Sequence, residues 1–114
     1  MPYINSTLTI KLSDEKKELI KAKLGEIICE VPGKSEQWLM VGFNDNYPLY
    51  FRGERKEKAA FVEVKIMGET DKKYKEVITS RICNLFENEL SIPSTEIFIT
   101  FQDINDWGWN GSMF

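Results

Sequence analysis

Acid–base chemistry near neutral pH needs a side chain or terminus that can take and return a proton, and this 114-residue chain has few. It contains no histidine, which removes Ser-His and Cys-His nucleophile pairs and most zinc and iron sites together. The role then falls to a perturbed carboxylate, to Lys, Tyr or Cys, or to the α-amino group. The chain begins Met1-Pro2-Tyr3-Ile4. Loss of Met1 would turn the Pro2 nitrogen from an amide, which is not basic and carries no N–H, into a secondary amine that exchanges protons. Proline after an initiator methionine is common in itself, so the rest of the chain decides whether this amine has a pocket to work in.

Composition narrows the alternatives. A net charge of −3 lacks the basic excess of a nucleic-acid binder. Polar residues interrupt the first ten positions and no long apolar run follows, so neither a signal peptide nor a membrane span is expected. Cys29 and Cys83 fall within helical patterns without CxxC spacing and read as buried free thiols of a reducing cytosol. No phosphate loop or metal-ligand cluster is present, so no cofactor and no metal are expected. Residues 1–114 are expected to form a single cytoplasmic domain large enough to bury its own core.

The elements that would position the amine follow from periodicity. Residues 2–10 alternate and are rich in β-branched and aromatic types, which predicts a strand. Ser13 is a good helix cap, followed by acidic residues and by apolar Leu19, Ile20, Leu24, Ile27, Ile28 and Val31 at helical spacing. Pro32-Gly33 ends that helix. Trp38–Phe43 reads as a strand, Leu49–Phe51 as a short edge strand and Glu54–Lys58 as a charged loop. Ala60–Met67 is a third main strand, Asp71–Leu90 a second amphipathic helix and Glu96–Phe101 a fourth strand, ahead of an aromatic, glycine-punctuated tail.

Sliding the chain by 58 residues aligns its halves. Ile4 meets Val62, Leu19 and Ile20 meet Val77 and Ile78, and Leu24, Ile27 and Ile28 meet Ile82, Leu85 and Phe86. Leu39, Val41 and Phe43 meet Ile97, Ile99 and Phe101, and Asp45 meets Asp103. The expected fold is therefore α/β: two pseudo-repeated βαβ units forming a four-stranded sheet with two helices on one face. The apolar pieces without a place in that sheet, and its uncovered edges, predict a closed homo-oligomer.

Met1-Pro2, Pro32-Gly33-Lys34 and the closing Gly108-Trp109-Asn110-Gly111-Ser112-Met113-Phe114, in this order and spacing, resemble the macrophage migration inhibitory factor family of the tautomerase superfamily. The resemblance covers essentially the whole chain. It implies a homotrimer with active sites at subunit interfaces and keto–enol tautomerisation of phenylpyruvate-like 2-oxo acids. Pro2 would be the catalytic amine after Met1 removal, its basicity lowered by apolar surroundings and a nearby lysine. Lys34 matches the family's lysine and would hold the substrate carboxylate or the charge developing on the 2-oxygen. Ile66 and Met67 would line the substrate through the main chain. Phe98 and Thr100 stand where the family has a pocket tyrosine and an asparagine. Trp107, Trp109 and Phe114 would wall the pocket, with Tyr50 and Phe51 near its rim.

Phe98 lacks the tyrosine hydroxyl, and the resulting apolar pocket favours aryl substrates over small dicarboxylates. The CxxC of some family members is replaced by Glu57-Lys58-Ala59-Ala60-Phe61, which leaves no residues for thiol–disulfide exchange. Two other functions compete. One is a non-catalytic, cytokine-like protein that binds a receptor and leaves the cell by a non-classical route. The other is a Pro2-dependent decarboxylase or hydratase of small acids, for which Arg52 and Asp103 would have to supply charge at the pocket.

Overall fold

The computed structural model describes residues 1–114. Strand β1, Pro2–Leu8, buries Pro2, Ile4, Ser6 and Leu8 and turns Tyr3, Asn5 and Thr7 to the other face. Helix α1, Asp14–Ile28, starts where the Ser13 hydroxyl accepts from the Lys16 N–H at 3.1 Å, with Asp14 and Glu15 at the positive end of the helix dipole. A single 3-10 turn, Glu36–Trp38, leads into β2, Met40–Asn44. A hairpin of β3, Tyr50–Phe51, and β4, Glu54–Arg55, precedes β5, Ala60–Met67. Helix α2, Lys72–Leu90, ends on Ser91 in the left-handed region, and the Ile92 N–H reaches back to the Phe86 carbonyl. Strand β6, Ile97–Ile104, and a terminal hairpin of β7, Gly108–Trp109, and β8, Ser112–Met113, complete the chain.

The sheet order is β2-β1-β5-β6. β1 and β2 are parallel, as are β5 and β6, while β1 and β5 meet antiparallel. Each parallel pair is one βαβ unit, so the expected repeat is present. Both helices lie on one face. Ile20, Leu24 and Ile28 of α1 and Ile78, Ile82 and Phe86 of α2 close over Ile4, Leu8, Val62, Val64 and Ile66 of the central strands, all essentially inaccessible to solvent.

The repeat extends to a polar detail. The Asp45 carboxylate, after β2, accepts from the Leu12 N–H at 2.7 Å and pairs with Lys17 at 3.8 Å. Fifty-eight residues on, the Asp103 carboxylate, late in β6, accepts from the Thr70 N–H at 3.4 Å and pairs with Lys75 at 3.1 Å. Each carboxylate thus fastens the segment that opens its own unit's helix to the strand that follows that helix.

Several expectations are corrected. Trp38 and Leu39 precede β2 because the Trp38 and Leu39 N–H groups bond back to Ser35 and Glu36, closing the 3-10 turn. The first strand stops at Leu8, and the last runs on to Ile104 because it pairs with β5 as far as Met67. Glu54-Arg55 belongs to a hairpin, since Arg52 and Gly53 both take positive φ and reverse the chain in two residues. Leu19 and Val77, equivalent in the repeat, stay 36% and 39% exposed, because they lie at the margins of their helices' apolar stripes. Cys29 is exposed at the end of α1, where its thiol donates to the Gly25 carbonyl, and Cys83 is only partly covered. No helix is long and apolar enough to cross a membrane.

Candidate active site

The end of the sheet where β1 begins is also where β5 ends, and Pro2 pairs with Ile66. The Met1 carbonyl accepts from the Met67 N–H at 2.9 Å, so the ladder continues to the first residue. After α1, the chain reverses at Gly33, which takes φ +79 in open space, a conformation that disfavours any side chain. The Lys34 N–H closes this turn onto the Val31 carbonyl at 3.1 Å. The lysine side chain is thereby aimed back at the sheet, where its ammonium donates to the Met67 carbonyl at 3.0 Å. That places it beside the N-terminal amine.

The amine is held below its ordinary value of 8.0, first by burial, then by the charge of Lys34 and a hydrogen bond with it. Here the free amine belongs to Met1, which is half-exposed; Pro2 behind it is buried. Removing Met1 would move the amine to the more desolvated of the two residues, where the charged form is disfavoured further.

In front of the amine lies a cavity of about 650 Å³, lined mainly by apolar side chains. Trp107 and Trp109 from the tail form part of its wall. The tail holds its shape because Asn110 and Gly111, with φ of 51 and 80, make a two-residue turn between β7 and β8. Phe114 stacks on Trp109, with centroids 5.8 Å apart and an 18° interplanar angle. Trp38 meets Trp109 edge-on at 5.1 Å.

Of the residues expected at the site, the structure gathers Pro2, Lys34, Ile66, Met67, Trp107, Trp109 and Phe114 at this end of the sheet. Ile66 is buried beside Pro2, facing the helices, while Met67 contributes its backbone groups. Tyr50, Phe51, Phe98 and Thr100 are elsewhere. Phe98 aligns with Phe61, five residues from Ile66 along β5, or about 17 Å. Phe51 packs edge-on against Phe98 at 5.1 Å, and Tyr50 and Phe98 are 68% and 54% exposed. Thr100 lies opposite Glu63, also exposed. Within one chain these four do not meet Pro2.

The cavity wall includes further residues: Tyr3, Trp38, Met40 and Lys65. Tyr3 and Lys65 are cross-strand partners on the face away from the helices. Strand alternation placed both on that face in advance, but the β1–β5 register that brings them together is not written in either strand. Trp38 was concealed by its assignment to a strand. Of the two charged residues considered for small-acid chemistry, the Arg52 guanidinium lies over the Phe51 ring at 5.0 Å, and the Asp103 carboxylate is engaged by Thr70 and Lys75.

The family model of macrophage migration inhibitory factor matches residues 1–114. A macrophage migration inhibitory factor homolog of Brugia malayi is 25% identical over 116 residues, covering 100% of this chain and 99% of that one. Among solved structures, MIF2 of Leishmania major superposes with a TM-score of 0.92 at 32% identity, covering 100% of this chain and 97% of its own. The macrophage migration inhibitory factor-like protein of Entamoeba histolytica gives 0.86 at 26% identity, covering 99% and 98%. With the family model matched over the whole chain and the fold shared with these structures, the chain belongs to the macrophage migration inhibitory factor family of the tautomerase superfamily.

Proposed function

We propose that this protein is a cofactor-independent keto–enol tautomerase of phenylpyruvate-like 2-oxo acids, with Pro2 as the general acid/base once Met1 is removed. The observation that carries the reading is the N-terminal amine itself: desolvated, next to Lys34, and facing an apolar, tryptophan-walled cavity. An ordinary α-amino group titrates near about 8 and is mostly protonated at neutral pH. Lowering that value brings a useful fraction of free base to the operating pH. The amine takes the C3 proton of the keto acid while the 2-oxygen gains negative charge, which a cation stabilises until it is protonated. The reverse sequence returns the proton to C3, so no electrons are exchanged with a cofactor.

The aromatic wall suits an aryl group at C3. Phe98, Tyr50, Phe51 and Thr100, which one chain leaves exposed and remote from its own Pro2, supply the pocket of a neighbouring copy in a homotrimer. Family membership supports this arrangement. A decarboxylase or hydratase of small acids fits less well, because the Asp103 carboxylate is engaged by Thr70 and Lys75.

The test is enol-to-keto conversion of phenylpyruvate by the Met1-processed protein, beside the same protein with Met1 retained. The processed form is expected to turn over, and the unprocessed form to be at least about a hundredfold slower, the usual span of general-base catalysis. Equal rates would refute the role of Pro2.

A further inference from the structure

Two lysines stand near the N-terminal amine, and they are differently employed. The Lys34 ammonium is tied to the Met67 carbonyl at 3.0 Å and lies beside the amine. Lys65 is not tied. It projects from β5 on the face away from the helices, between Tyr3 of β1 and Gln102 of β6, and lines the cavity with Pro2 and the tryptophans. It takes part in none of the chain's ion pairs, and Glu63, the acid two residues along on the same face, does not pair with it.

Lys65 is half-buried, lines the cavity together with tryptophan and tyrosine side chains, and has no counter-charge, so an anionic ligand there would give it a partner. Its location suits one. Lys65 is the cross-strand partner of Tyr3, the residue after Pro2, so the two Cα atoms are about 5 Å apart. Its four-carbon stem then reaches the space in front of the amine. A 2-oxo acid with C3 in reacting distance of that amine, about 3–3.5 Å, carries its carboxylate only two bonds further off.

We infer that Lys65 is the carboxylate anchor of the site and sets its preference for acids over neutral carbonyl compounds. Lys34 is then left to the amine and to the charge developing on the 2-oxygen. The assignment rests on the tautomerase reading for its substrate, but its central test does not need turnover. Trp38, Trp107 and Trp109 around the cavity report occupancy by fluorescence.

Met1-processed protein is titrated with 3-phenylpropanoate, which has no 2-oxo group to enolise, and with its neutral isostere 3-phenylpropanamide. The wild type is expected to prefer the acid. Lys65→Met should weaken acid binding about tenfold or more while leaving amide binding unchanged. Lys65→Arg, which keeps the charge, should retain the preference and serves as the folding control. With phenylpyruvate, Lys65→Met should raise KM by the same factor with kcat within about threefold and the pH profile unmoved, the pattern of lost uniform binding. Equal acid affinity in Lys65→Met and wild type, or no acid preference in the wild type, overturns the inference. A Lys65-dependent acid preference in a protein that does not turn over phenylpyruvate supports the anchor and counts against the tautomerase reading alone.

Discussion

Replacing Lys34 with methionine removes the ammonium beside the N-terminal amine while keeping most of the side chain's length. In the folded chain that amine is held below 8.0 first by burial, then by Lys34. The variant loses the second cause and keeps the first. In the processed protein the amine is that of Pro2, which is buried where Met1 is half-exposed, so solvent screens its repulsion from Lys34 less. The active base must be unprotonated, so a higher pKa moves the acid limb of kcat/KM to higher pH. Lys34→Met is therefore expected to shift that limb to higher pH and to slow the reaction at pH values on the limb. The plateau falls further to the extent that Lys34 also stabilises the enolate oxygen. The assay is phenylpyruvate enol-to-keto conversion from acid to alkaline pH, with thermal unfolding to show that the variant is folded. A folded variant whose acid limb stays within about 0.3 unit of wild type would refute the electrostatic coupling.

Two further predictions concern stability. The Ser6 hydroxyl is fully buried on the helix side of β1 with no hydrogen-bond partner, so Ser6→Ala is expected to stabilise the protein by about 1 kcal/mol, read as a higher urea midpoint. Asp45 is held below its ordinary 3.8, chiefly by the Leu12 N–H and secondarily by Lys17. A carboxylate depressed in the folded state adds stability above its unfolded pKa and loses it as pH falls through the lower folded value. Asp45→Asn should therefore cost about 1 kcal/mol at pH 7, with the wild-type and variant stability curves converging in acid; parallel curves would refute the linkage.

Much of this molecule was legible because its strands and helices keep strict periods. The buried alternation of Pro2, Ile4, Ser6 and Leu8 and the Ile20–Leu24–Ile28 stripe of α1 follow from local sequence. So does the pairing of Asp45 with Asp103 under a fixed offset, though not the bonds both make. Pro2 could be named because a terminal amine is a local feature; Lys34 was named by the family resemblance, since a lysine after a Pro-Gly stop reads by itself as a solvated residue. Lys65 could not be named, because its significance depends on which strand it pairs with and in what register. Trp38 was misplaced because an apolar run gives no sign that its first residues close a 3-10 turn. Tyr50, Phe51, Phe98 and Thr100 fail to reach Pro2 within the chain for a different reason: the β5–β6 register sets Phe98 and Thr100 several residues along the strands from Pro2, and Phe51 packs on Phe98.

The two aspartate fastenings each span 33 residues and stay inside one half of the chain. Each crossover is fastened within its own half, although both halves share one core, so each is a candidate unit whose formation can precede their docking. The β1–β5 ladder is the seam along which they dock, and it carries the Pro2–Ile66 pair at one end. The base is thus built across the seam. In a chain whose halves have formed but not docked, the N-terminal amine is solvated, ordinarily basic and protonated at neutral pH. During refolding, the fall in the amine's basicity would then mark the docking step, later than the recovery of helical signal from either half.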